Sequence, residues 1–445
     1  MLVPTRPPGL PVVAHLVLSS PPLLQQVLYC LVQDGLFKAQ EHPADRPSYY
    51  RNLCALSLVS KTWAEQARSL LHQHLWFGKG DEQLKQWVYA VDQHAQDGKT
   101  HLTSQSVIVL EREEVNFDEE EGSKWSLNAL RTMFSRLHGV QILQLGLVKA
   151  GGVPGLLLEG DGFKDLDHLT LACPLAGDFT LSSVLRILVL VSVVPDRPWF
   201  TCLTQLEPSL QTLAHLSLAE FCLEPFEPLL FPSLAPSAAA LKQLDLPCLH
   251  VRPSSWRLAL FALLCRSLKY LHIKHGASPE AIRELLPLFF EGSSALETVA
   301  IDGLCVPLGA GLVASEVLPV SDPIEELVYV LDRIADDGHS TLKHLHLHDV
   351  HAKGGSREYA VKAIKDICLD IGVECSISLV QGEQWEKLSE RETSLVNSLE
   401  AKHAAFMRWA DEHFAGRVPA MQDELKLRKV GMPGCFPFSL EEVEQ

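Results

Sequence analysis

Long hydrophobic runs are missing from this chain. The most apolar stretch, Val184 to Val194, contains Arg186 and is well short of the roughly 20 residues a membrane-spanning helix needs. Met1 to Leu18 lacks the charged, apolar and small-residue order of a secretory signal, so neither a membrane segment nor export is expected. Paired cysteines are missing too. The 11 cysteines include no Cys-x-x-Cys pair, and an odd count without a signal reads as reduced thiols of the cytoplasm or nucleus. None of Asn52, Asn116, Asn128 and Asn397 opens an Asn-x-Ser/Thr sequon, which fits the same compartment. Positive charge is scarce: 55 acidic against 38 basic residues give a formal net charge of −17. That balance argues against a nucleic-acid partner, whose affinity comes mostly from Lys and Arg neutralising phosphates, and against a polybasic membrane surface. Part of the acid is one run, Glu111, Glu113, Glu114, Asp118, Glu119, Glu120 and Glu121, which reads as a solvated loop. Catalytic signatures are absent as well: no Gly-x-Ser-x-Gly elbow, no His-Glu-x-x-His, no phosphate-binding glycine loop. No enzymatic activity, cofactor or metal site is therefore expected.

What the chain does have is a phrase that returns. Leu213-Ala-His-Leu-Ser-Leu218, Leu241-Lys-Gln-Leu-Asp-Leu246, Leu268-Lys-Tyr-Leu-His-Ile273 and Leu296-Glu-Thr-Val-Ala-Ile301 begin 27 or 28 residues apart, inside the period of leucine-rich repeats. Looser copies begin at Val140, Leu166 and Leu185, and another good one at Leu342. In such a phrase the fourth and sixth residues point to one side of a short strand and their neighbours to the other. A single unit cannot bury its own apolar row, so the units must stack. The expected fold is an α/β solenoid, a parallel strand array from 103 to 380 with helices over Trp256–Cys265, Pro279–Phe290 and Pro323–Ala335. A last strand is expected over Val373–Val380, and 306–321 reads as an inserted loop.

The flanks follow other rules. Residues 1–18 are Pro-rich and read as flexible. Leu23, Leu24, Val27, Leu28 and Leu31 recur at helical spacing behind Pro21. A second helix is expected from Tyr49 through Leu58 and a third from Ser60 or Thr62 to about Trp76, with Thr62 and Glu65 at capping-box spacing. Together they make a three-helix module over 19–76, joined to the array by a helical segment over 77–102. Beyond Gly382 an apolar stripe containing Trp385, Leu399, Trp409 and Phe414 predicts a capping helix over 381–418, followed by a tail over 419–445.

The module resembles an F-box, the helical unit that docks a protein onto the Skp adaptor of cullin-RING ubiquitin ligases. The resemblance rests on Pro21, Leu23-Leu24-x-x-Val27-Leu28, Leu53-x-x-Leu56-x-Leu58-Val59-Ser60-Lys61-x-Trp63 and Leu71-x-x-x-Leu75-Trp76. The long segment between its first two helices is of a kind that fungal members of the family often carry. An F-box followed by leucine-rich repeats resembles a substrate receptor of the ubiquitin system. It implies a Skp-family adaptor, and through it a cullin, as partners. The adaptor contacts implied are Pro21, Leu23, Leu24, Val27, Leu28, Leu53, Leu56, Val59 and Trp63. Ser19-Ser20 stands where the family usually opens with Leu-Pro, and this motivates the alternative of a leucine-rich-repeat interaction scaffold with no ubiquitin role.

For a protein substrate the candidates are the outward strand positions His215, Asp245, Tyr270, His272, Lys274, Asp302, His344, His346 and His348. Tyr270 is the expected hot spot, because interfaces are enriched in aromatic anchors. The three alternating histidines share one face of a strand at a spacing of about 6.6 Å. Three ligands on one line do not surround a metal tetrahedrally.

Overall fold

The computed structural model describes residues 53–58, 61–77, 81–96, 104–110, 126–146, 153–191, 197–219, 227–247, 256–274, 277, 279–303, 322–337, 341–350 and 355–379. The helix expected behind Pro21, the acidic run, the 306–321 insert and the C-terminal capping helix lie outside the described residues.

Each copy of the phrase becomes a strand that starts two residues after the first apolar position. In chain order the elements are α1 (Lys61–Gln73), β1 (His74–Phe77), α2 (Asp81–Gln96), β2 (Ser106–Leu110), α3 (Leu127–Phe134), β3 (Ile142–Gly146), β4 (Val153–Pro154), β5 (His168–Leu171), β6 (Leu175–Ala176), β7 (Ile187–Val191) and α4 (Arg197–Leu206). There follow β8 (His215–Ala219), α5 (Glu227–Ala238), β9 (Gln243–Leu246), α6 (Trp256–Leu264), β10 (Tyr270–Ile273), α7 (Pro279–Glu284) and α8 (Leu286–Gly292). The last are β11 (Thr298–Asp302), α9 (Pro323–Asp337), β12 (His344–Val350), α10 (Gly355–Asp370) and β13 (Glu374–Leu379).

All strands but β4 and β6 form one 11-stranded sheet in which spatial order follows chain order. Every adjacent pair is parallel. Register repeats with the phrase: Leu216 pairs with Leu244, Leu244 with Leu271, Leu271 with Val299 and Val299 with Leu345. The first residue of each strand fixes that register, since His215, Gln243, Tyr270, Thr298 and His344 donate their N–H groups to the carbonyls of Arg186, Ala214, Lys242, Lys269 and Glu297, each just ahead of the previous strand.

The leucine rows are fully buried, Leu169, Leu188, Leu216, Leu244 and Leu271 among them, and burial stabilises each by about 1.5–3 kcal/mol relative to exposure. They share one core with Leu230 and Phe231 of α5, Phe261 of α6, Phe289 of α8, Leu327 of α9 and Ile364 of α10. The helices therefore cover one face of the sheet, and alternation assigns the intervening residues to the other. At Gly292 a Cβ would lie 2.3 Å from the Ala262 carbonyl oxygen, so the contact between α6 and the end of α8 depends on a residue without one.

Several expectations need correction. The helix expected to reach Trp76 stops at Gln73, and His74–Phe77 is the first strand, paired with β2. Helical spacing of Leu71 and Leu75 looked continuous, but inward Leu75 and Phe77 fit a strand of alternating burial. The sheet thus starts before residue 103, and the helical segment expected over 77–102 contains α2, which follows an already formed strand. The single helix expected over Pro279–Phe290 is two, α7 and α8. Pro287 stands in the first turn of α8, where its missing N–H breaks the ladder that would join them. The pair β4 and β6 forms a separate two-stranded sheet that the periodicity did not reveal, being too short to show alternation.

Candidate functional site

Residues on the face opposite the helices fall into columns set by the parallel register. One column runs through His168, Ile187, His215, Gln243, Tyr270, Thr298, His344 and Glu374. The next runs through Thr170, Val189, Ser217, Asp245, His272, Ala300, His346 and Ser376. Polar and ionisable groups concentrate from β8 onward.

Asp245 is the hub of the first cluster. Its carboxylate lies 3.0 Å from Lys274 Nζ and 3.6 Å from His215 Nε2, and it accepts a hydrogen bond from Gln243 Nε2 at 3.3 Å. Lys274 Nζ also donates to Ser217 Oγ at 3.1 Å, reaching across β9. At 3.6 Å the His215 contact is longer than a hydrogen bond, which leaves the buried His215 Nε2 without a hydrogen-bond partner among the described residues. Burial alone would raise the Asp245 carboxyl, yet the His215 imidazole and the Lys274 ammonium hold it well below the usual carboxylate range. Asp245 is thus an anion locked in place, and it positions Lys274.

The second cluster is His272 with Asp302, Nε2 to Oδ2 at 2.8 Å. Tyr270 sits beside it, edge-on to the His272 ring at 6.2 Å between centroids. Burial first, then the carboxylates of Asp245 and Asp302, push the Tyr270 phenol up, so it stays a neutral hydrogen-bonding group at physiological pH.

The third cluster is the histidine ladder. His344, His346 and His348 stack with ring centroids 6.1 and 6.2 Å apart and interplanar angles of 4° and 14°, close to the spacing expected from the strand rise. His344 Nδ1 lies 3.1 Å from Glu374 Oε2, and His346 Nδ1 is 2.7 Å from Ser376 Oγ. Among the described residues no group of three His, Cys, Asp or Glu side chains is placed to hold a metal ion.

The structure thus joins His215, Asp245 and Lys274 in one network, His272 and Asp302 in a second, and the three histidines in a ladder. Sequence reasoning missed Glu374 and Ser376. They lie on the last strand, where no leucine phrase marks the register, but simple alternation from Cys375 and Ile377 puts both outward. His168 is a further member: its Nε2 lies 3.1 Å from Thr170 Oγ1, and burial, reinforced by His215, holds its pKa below the ordinary imidazole value.

Of the adaptor contacts implied by the resemblance, Pro21, Leu23, Leu24, Val27, Leu28 and Val59 lie outside the described residues. Leu53 and Trp63 are buried and Leu56 is half-buried, whereas Leu58 is 86% exposed. Among the described residues no helix is long and apolar enough to cross a membrane. No protein-family model matches the chain. No curated protein matches it either.

Proposed function

We propose that this chain is a non-catalytic substrate-recognition subunit of a Skp-cullin-F-box type ubiquitin ligase. In this reading the helical module of 19–76 docks the Skp-family adaptor and through it a cullin. The face of the strand array opposite the helices, a run of leucine-rich repeats, holds a target protein. One observation carries the recognition half. A rigid parallel sheet presents a contiguous patch from Ser217 to Ser376 whose ionic groups are fixed by their neighbours. A surface organised in that way selects a partner by shape and charge rather than by chemistry done on it. The docking half rests on the Leu58-Val-Ser-Lys-x-Trp63 phrase, which runs into α1, the helix ahead of the first strand. Co-purification with the Skp adaptor tests it. The full chain is expected to retain the adaptor, and Leu23→Asp combined with Leu24→Asp to lose it; unchanged retention by that folded double variant would sink the docking site.

A second reading has its own support. Helix α1 passes into edge strand β1 with no residue between them, and Trp63, Ala67 and Leu70 are buried. A helix so placed stands where an N-terminal cap of the sheet would sit, and a scaffold without any ubiquitin role requires such a cap. Stoichiometric adaptor binding excludes that reading.

A further inference from the structure

We propose that the partner held on the face opposite the helices presents an acidic segment, rich in Asp and Glu, to a row of lysines bordering the first column; this rests on that face being the recognition surface. Lys242, Lys269, Glu297 and Lys343 each stand one residue ahead of a strand, before Gln243, Tyr270, Thr298 and His344. The parallel register sets them side by side. The Lys269 N–H donates to the Lys242 carbonyl at 2.8 Å, the Glu297 N–H to the Lys269 carbonyl at 2.9 Å and the Lys343 N–H to the Glu297 carbonyl at 2.7 Å.

The charge along this row is unbalanced. Its one carboxylate, Glu297, is shared by two ammonium groups, Lys343 Nζ at 3.2 Å and Lys269 Nζ at 3.9 Å. Lys242 is exposed and has no carboxylate partner among the described residues. Three positive charges thus stand against one negative, on a chain whose formal net charge is −17. The carboxylates of the neighbouring columns do not make up the difference, because each already has a partner. Asp245 lies 3.0 Å from Lys274 Nζ, Asp302 2.8 Å from His272 Nε2 and Glu374 3.1 Å from His344 Nδ1. The Lys269 and Lys343 side chains are 56% and 61% exposed, so an incoming carboxylate meets them without the cost of burying a charge. Adjacent strands are about 4.8 Å apart and an extended chain rises about 3.3 Å per residue, so roughly five residues lying across the strands reach from Lys242 to Lys343. Tyr270, next to Lys269 in the chain, offers the same segment an aromatic anchor. A nucleic acid fits less well, since its continuous phosphate charge would face a strongly acidic chain with only this short row to neutralise it.

The test passes the full chain over immobilised poly-L-glutamate at neutral pH and about 0.15 M salt, where charges more than about 8 Å apart are largely screened. A chain of this net charge is repelled by the probe as a whole, so retention reports a local site. Retention is expected, and Lys242→Glu combined with Lys269→Glu is expected to weaken it about tenfold or more. Lys362→Glu combined with Lys365→Glu makes the same change in net charge on α10, where both lysines are exposed, and is expected to leave retention within about twofold of wild type. No retention of the wild-type chain, or equal loss in the two double variants, would overturn the lysine row. So would wild-type retention that does not fall as salt is raised, or tighter binding to oligothymidylate than to poly-L-glutamate. Skp-adaptor binding is measured on the same samples and reads the ubiquitin-ligase assignment separately: row-dependent retention supports the acidic partner whether or not the adaptor is bound.

Discussion

The first and last parts of the sheet share one backbone and differ in what they show. From β1 to β7 the second outward column reads Trp76, Ile108, Gln144, Thr170 and Val189, with Ile108 itself buried. From β8 to β13 the same column reads Ser217, Asp245, His272, Ala300, His346 and Ser376. Inward, both parts carry the same buried leucines, Leu143 and Leu169 in one, Leu244 and Leu271 in the other. Stability is therefore spread along the array, while the ionisable surface is concentrated in the second part of it. Inward and outward residues alternate along the same strands, so each set can be altered without the other.

The largest effect should be blind to that division. Leu169→Ala and Leu271→Ala, one in each part, are each expected to cost about 3 kcal/mol through lost burial and the cavity left behind, read by urea denaturation. A large loss from one and none from the other would break the idea of a shared core. Next comes Asp245→Ala, expected to cost about 2 kcal/mol because Lys274 loses its charged partner in a largely buried network. Gln144→Ala, at the equivalent column in the first part, should stay within about 0.5 kcal/mol. For binding, Tyr270→Ala should reduce the capture of any target bound by the full chain by about tenfold or more, with the melting temperature and adaptor retention unchanged. Equal capture by the Tyr270 variant would move the recognition surface elsewhere.

The smallest effect concerns pH. The folded protein holds His168 below the ordinary imidazole value through burial, then His215. The unfolded chain therefore binds the proton more readily. Stability from this group is complete above the unfolded value of about 6.5 and declines as pH falls from there toward the folded value. His74, lowered by burial, acts in the same direction. His168→Gln should flatten part of that decline in melts taken between pH 7 and pH 5. An unchanged slope would mean that His168 is accessible to protons in the folded state.

Much of this was legible in the residues because the phrase carries its own geometry. Leu213, Leu216 and Leu218 mark one strand and its inward row, and Leu241, Leu268, Leu296 and Leu342 repeat the message at a spacing that demands stacking. Where the phrase is absent the reading slipped. His74–Phe77 looked like the end of a helix because its strand character comes from pairing with β2, a partner distant in sequence. Glu374 and Ser376 went unnoticed because their role exists only beside His344 and His346 of the preceding strand. The pairing of Asp245 with Lys274, and of His272 with Asp302, was equally out of reach, since each contact spans neighbouring strands whose side chains meet only after register is set.

The sequence by itself determined that the chain stacks strand units, which side chains go inward, and where the outward candidates stand, because alternation and a fixed period are local properties of the covalent chain. Only the tertiary structure decided which of those candidates touch. Asp245 became a buried anion and the histidines a ladder because distances between side chains on different elements depend on how those elements pack, and no spacing along the chain encodes them.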